Sequence, residues 1–179
     1  NDRIVYLQDK GGDENYHLFS AKADGSGARD LTPFDGVRTT IVDPLEEKDD
    51  EMLVGLNRRD PTVFDVYRLN LDSGELSLVE ENPGDIGSWM TDHDGKLRVA
   101  VKSDGVNTSL LYREREGIPF RTLLTTDFRE GVSPLFFTFD NKKLYVSSNL
   151  GRDKSAIFLF DPETVKHEEL IFEHPEVDV

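Results

Sequence analysis

Phe136-Phe137-Thr138-Phe139-Asp140-Asn141-Lys142-Lys143-Leu144-Tyr145-Val146-Ser147-Ser148 is the stretch whose reading decides the fold. An apolar run, 136–139, meets a polar turn signal at Asp140-Asn141-Lys142 and then a run rich in β-forming residues, 143–148. The pattern continues outward. Asn149 to Asp153 is a polar loop, 156–160 (Ala-Ile-Phe-Leu-Phe) is apolar, Asp161-Pro162-Glu163-Thr164 is a turn, and 168–172 reads as a fourth strand. Four strands and three turns fit in fewer than fifty residues.

Working back towards the N-terminus, the same unit recurs. Second strands centre on Val5, Leu53, Val99 and Tyr145, at steps of 48, 46 and 46. Third strands centre on Leu18, Tyr67, Leu110 and Ile157, at steps of 49, 43 and 47. The turn residues Asp24, Asp72, Glu116 and Asp161 step by 48, 44 and 45. Markers that hold one period define an internal repeat, and four strands per unit of about 40–50 residues is the signature of a β-propeller blade. The expected fold is all-β: a β-propeller segment of about four four-stranded blades, cut in the first blade between its first and second strands. The blades fall at about 1–34, 35–83, 84–129 and 130–174, with a further blade starting at 175–179. A β-sandwich is the structural alternative, but it does not explain the repeated turns.

Composition narrows the function. The chain has 179 residues, enough for one domain with its own core, and no cysteine, so disulfides and thiolate metal sites are excluded. Its 36 acidic and 21 basic side chains give a net charge of −15, a field that repels phosphate backbones and anionic lipids. Neither nucleic acid nor a membrane surface is an expected partner. The longest apolar runs span only a few residues, too short for a transmembrane helix. The chain opens at Asn1 without a basic and then apolar leader, so it reads as a piece of a longer protein with a cytoplasmic location, or a periplasmic one if the parent carries a signal peptide.

No stretch carries chemistry of its own. A nucleophile elbow needs G-x-S-x-G; Gly131-Val132-Ser133-Pro134 lacks the second glycine, and Pro134 has no N–H to offer an oxyanion. His17, His93, His167 and His174 show no metal-ligand spacing and read as packing or surface residues. Asp92-His93-Asp94-Gly95 hints at a calcium loop, but Lys96 stands where an oxygen ligand belongs and Ser103 where a bidentate Glu belongs, so it reads as a hairpin turn. No metal or cofactor is expected. The acidic run from Glu46 to Glu51 reads as a solvated turn. Arg58, Arg59 and Arg152 fall in equivalent loops between second and third strands. They are candidates for contacts with a substrate carboxylate or another domain, against surface pairing with Asp60 and Asp153. Trp89 lies in a first strand, innermost in a propeller, where it lines a channel or packs in the core.

One set of stretches resembles a known family. Ile4-Val5-Tyr6-Leu7-Gln8-Asp9-Lys10-Gly11-Gly12-Asp13-Glu14-Asn15-Tyr16-His17-Leu18-Phe19 is similar to a stretch in the propeller of bacterial prolyl oligopeptidase-type serine peptidases, nearest to the acylaminoacyl peptidase and dipeptidyl aminopeptidase branch. Asp30-Leu31-Thr32-Pro33-Phe34 and Val54-Gly55-Leu56-Asn57-Arg58-Arg59-Asp60-Pro61 continue it. Phe139-Asp140-Asn141-Lys142 and 147–153 resemble TolB-like blades. The resemblance implies a non-catalytic propeller that gates peptide substrates and docks on an α/β-hydrolase domain absent from this sequence. No triad residue can be carried over, and the pairs Glu46-Glu47, Glu80-Glu81 and Glu168-Glu169 do not sit in the surroundings of the family's amine-binding motif. The alternative is a free-standing TolB-like module that binds a protein. At the ends, the first copy lacks an innermost strand while 176–179 offers one, which predicts strand exchange within the chain or between two chains as a homodimer.

Overall fold

Alternating apolar and polar residues, punctuated by Asp-Gly and Asn-containing turns, leave a chain little choice but antiparallel hairpins. The computed structural model describes residues 2–179 and divides into two compact units, one ending at Gly84 and one spanning Asp85–Val179. Among the described residues no helix is long and apolar enough to cross a membrane.

The first unit holds two sheets. The three-stranded sheet has the order β1 (Arg3–Gln8), β2 (His17–Lys22), β3 (Arg29–Asp30). The four-stranded sheet has the order β4 (Thr39–Asp43), β5 (Glu51–Asp60), β6 (Val63–Asn70), β7 (Leu76–Glu80). Leu18 of the first sheet and Leu31 just after it join Met52, Val54, Leu56 and Leu69 of the second sheet and Leu71 just after β6 in one core, with Val5 packed against it. Each fully buried leucine contributes about 2–3 kcal/mol of transfer free energy. Thr32 ties the sheets together: its buried hydroxyl accepts from the Leu18 N–H at 2.8 Å and from the Thr39 hydroxyl at 2.9 Å. β1 bonds to β2 alone and is an edge, as the truncated first copy predicted.

The second unit repeats the design twice: β8 (Ile86–Thr91), β9 (Leu97–Ser103), β10 (Thr108–Tyr112), β11 (Arg121–Thr126), then β12 (Val132–Phe137), β13 (Leu144–Ser148), β14 (Ala156–Asp161), β15 (Lys166–Phe172). Val99, Leu110 and Tyr112 of the earlier sheet and Val132, Phe137, Leu144, Val146 and Phe160 of the later one form its core. Arg98 is 8% exposed and crosses this seam. Its guanidinium pairs with Asp92 at 3.1 Å, donates to the Asn141 carbonyl at 2.8 Å and to the Tyr112 hydroxyl at 2.5 Å, and lies 4.8 Å above the Phe137 ring.

Two strands differ from their sequence-based expectation. Residues 57–61 were expected to loop, yet β5 runs on through Asp60 and turns only at Pro61-Thr62. Asp60 holds that turn by accepting the Thr62 N–H at 2.8 Å and its hydroxyl at 2.7 Å. The first strand of the last copy was expected at 136–139; it occupies Val132–Phe137, and Phe139 stands 96% exposed in the turn, stacked on His93 at 5.3 Å. Pro134 is tolerated because β12 is an edge strand and the register shifts between Pro134 and Phe136.

The expected strand at 176–179 is also absent. The tail folds back on its own sheet: Ser147 Oγ donates to the Val179 carbonyl at 2.8 Å, and the Ser155 N–H donates to Asp178 at 2.6 Å. The tail is thus held by both side-chain and backbone groups of the neighbouring hairpin, the Val179 N–H donating to the Ser155 carbonyl at 3.4 Å.

Burial separates the sheets. In β9, Leu97, Arg98, Val99 and Ala100 are all buried, so both faces are covered. In β13 burial alternates: Leu144, Val146 and Ser148 are buried while Tyr145 and Ser147 are half-buried.

Candidate functional site

Of the four side chains singled out in the sequence, Arg58 and Arg59 lie in the first unit and Trp89 and Arg152 in the second, each with partners in its own unit. Arg59 engages Asp65 rather than the expected Asp60. Its Nε and Nη2 meet the two carboxylate oxygens at 2.9 and 2.8 Å, and Nη2 also reaches the Asn82 carbonyl at 2.7 Å. Asp65 is 1% exposed and accepts the Asn82 N–H as well, so the fork holds a buried carboxylate and fixes the β6–β7 sheet edge. This bond is the first cause of the upward pKa shift of Arg59. The alternation of β6 hides Asp65 from a linear reading, since an Asp between Phe64 and Val66 looks solvent-facing. Arg58 is exposed and lies 4.4 Å over the Phe34 ring. Arg152 pairs with Glu173 instead of Asp153 and covers Phe158 at 5.5 Å. Trp89 is half-buried against Phe120, centroids 5.9 Å apart, and borders a cavity of about 250 Å³ shared with Pro134 and Leu135.

A larger cleft, about 390 Å³, lies in the first unit at the loop following β1, and the sequence reading did not anticipate it. His17 and Asp30 line it, with Nδ1 2.7 Å from the Asp30 carboxylate. The two side chains are within hydrogen-bond reach of one another through Nδ1 and a carboxylate oxygen. Asp9, Asp13 and Asp35 complete an acidic lining against Lys10. Asp13 is held below the usual carboxylate range, chiefly by the Asn15 N–H. A His–Asp pair supplies two of the three members of a nucleophilic triad, but the residues lining this cleft include no serine, threonine, tyrosine or cysteine for the imidazole to activate. The pairing follows from β2–β3 register: Phe19 opposes Asp30, which brings the carboxylate within reach of a ring two residues away on the same face. Among the described residues no group of His, Asp and Glu is arranged to hold a metal ion. Asp92-His93-Asp94-Gly95 is the hairpin turn the sequence predicted, with Asp92 Oδ1 accepting the Asp94 and Lys96 N–H groups at 3.0 and 2.9 Å.

The chain is 34% identical over 187 aligned residues to dipeptidyl aminopeptidase BIII of Pseudoxanthomonas mexicana, an alignment covering 99% of this chain and 26% of the relative. Its resemblance is to the propeller of prolyl oligopeptidase-type peptidases. Dipeptidyl peptidase family member 6 of Caenorhabditis elegans is 23% identical over 96% of the chain and 25% of its own length. The chain thus spans about a quarter of the curated relatives it matches. Among solved structures, a puromycin hydrolase superposes with a TM-score of 0.66 at 17% identity, over 96% of this chain and 29% of that one. TolB from Acinetobacter baumannii gives 0.60 at 18% identity, over 96% and 42%. These likenesses show the fold: an all-β propeller segment. No protein-family model matches.

Proposed function

We propose that the chain is the non-catalytic propeller segment of a prolyl oligopeptidase-type serine peptidase, which restricts access of peptides and docks on an α/β-hydrolase domain of the same parent. The observation that carries this reading is the 34% identity to dipeptidyl aminopeptidase BIII along 99% of the chain. That the chain spans only about a quarter of the relatives it matches supports it, because a segment of that share leaves room for another domain in the parent. The alternative, a free-standing module that binds a protein, draws on the likeness to TolB, but that likeness is one of fold at 18% identity. Peptide substrates and the hydrolase domain are the partners of the first reading, and a cytoplasmic location goes with it.

Sequencing the parent reading frame decides between the two. The peptidase reading expects an in-frame hydrolase segment bearing G-x-S-x-G downstream of Val179. A frame that stops close to Val179 rejects it in favour of the binding module.

A further inference from the structure

The second unit holds a cavity of about 250 Å³ between its two sheets, at their first strands β8 and β12. Both sheets carry four strands, so the gap between them does not depend on where the sequence begins or ends. Register opens it. In β8 the pairing shifts between Ile86 and Ser88, and in β12 between Pro134 and Phe136, which leaves Gly87 and Leu135 as the extra residues of two bulges. A bulge bends its strand and re-aims a side chain. Ser88 and Met90 line the cavity beside Val101 and Val99, their partners on β9, and Pro134 and Leu135 line it from β12.

The lining is apolar over a fixed floor. Val99 is fully buried in the core, and Met90 and Val101 pack against it. Leu135 is 40% exposed and Ser88 is exposed, so both stand where the cavity meets solvent. Among the described residues, none that line it carries a charge, which argues against an ion as the occupant. Pockets that enclose a whole small molecule run to about 300–1,000 Å³, so this one is of a size for a single apolar side chain. What brings such a side chain is set by the strands around it. β8 bonds to β9 and β12 bonds to β13, so each presents its other edge beside the cavity, and a strand edge pairs with the main chain of an extended peptide.

We propose that this cavity is a subsite for one apolar side chain of an extended peptide, whose main chain lies along the β8 and β12 edges and whose side chain enters past Leu135. The choice of a peptide rests on the peptidase reading; the cavity and its apolar lining do not.

Trp89 is the one tryptophan of the chain and borders the cavity, so its fluorescence reads the site directly. The 179-residue chain is titrated with acetyl-Ala-Leu-Ala-amide and with acetyl-Ala-Ser-Ala-amide, two uncharged peptides that differ in the central side chain. The leucine peptide shifts the Trp89 emission saturably, and the serine peptide binds about tenfold or more weakly, the factor that burying one leucine side chain supplies. Ser88→Phe fills the cavity from an exposed position and abolishes the response to the leucine peptide, with an unchanged far-UV circular dichroism spectrum. Leu135→Ala, which removes the rim, replaces it if that variant fails to fold, and weakens the leucine peptide without affecting the serine peptide. A leucine titration that shows no saturable change, equal affinity for the two peptides, or a wild-type response in the folded variants each overturn the proposal. The outcome is separable from that of the reading frame: a frame that stops close to Val179 rejects the peptidase reading and leaves a measured peptide affinity standing, whereas a silent titration rejects the subsite alone.

Discussion

At the scale of single residues, Arg98 has the largest expected effect. Its charge is buried at a seam between two sheets, where Asp92, itself 7% exposed, depends on it. Removing one partner of a buried ion pair leaves the other charge uncompensated, at a cost of about 3–5 kcal/mol. Arg98→Met is expected to lower the urea midpoint accordingly without changing the slope of the transition. His167 contributes a pH dependence near neutrality. Its ring meets Phe158 at 4.7 Å and Phe160 at 5.5 Å, its Nε2 is buried without a hydrogen-bond partner, and burial pushes its pKa down. The folded state therefore prefers the neutral ring, and as pH falls below the ordinary value of about 6.5 the unfolded chain binds the proton first. Stability is full above that pH and declines below it. Urea unfolding at pH 7.5 and pH 5.5 should show a drop that His167→Leu reduces. Asp104 acts in a separate window: the Asn107 N–H, the Asn107 side chain and the Val106 N–H hold its carboxyl at about 2, so its contribution is lost only as pH falls from near 4 towards that value.

At the scale of elements, β5 shows how tightly a doubly covered strand is specified. Met52, Leu53, Val54 and Leu56 are all buried, and Gly55 between them has no room for a side chain: a Cβ there would lie 2.5 Å from Thr40 Oγ1 and 3.5 Å from Phe64 Cβ. Gly55→Ala forces β4 and β5 apart locally, and such overpacking costs about 1–3 kcal/mol. Thermal unfolding followed by circular dichroism should show the loss, and Gly55→Ala combined with Thr40→Ala should recover part of it. The two misplaced boundaries belong to this scale as well. Nothing local distinguishes 57–60 from a loop, because Asn57, Arg58, Arg59 and Asp60 are all polar; the strand continues because Arg59 bridges back to buried Asp65. Phe139 reads as a strand residue by type, yet the turn at Thr138–Lys143, with Asn141 at a φ of 57°, leaves it in solvent.

At the scale of the molecule, the proposed reading as a non-catalytic segment makes a prediction. The purified chain is expected to release no product from aminoacyl chromogenic substrates; turnover that survives repurification and disappears in His17→Ala would contradict this. The four-copy repeat and its all-β class were legible in the sequence because hairpins are local: a turn, an alternating pattern and a period suffice to specify them. The resemblance to peptidase propellers was legible for the same reason, since it rests on contiguous stretches such as 4–19. What the repeat could not reveal is which side of each sheet meets another. Tyr145 and Val99 occupy the same place in successive copies, yet one is half-buried and the other fully buried. That difference, the pairing of Arg59 with Asp65, and the meeting of His17 with Asp30 depend on contacts between strands and sheets, and only tertiary packing brings those residues within reach of one another.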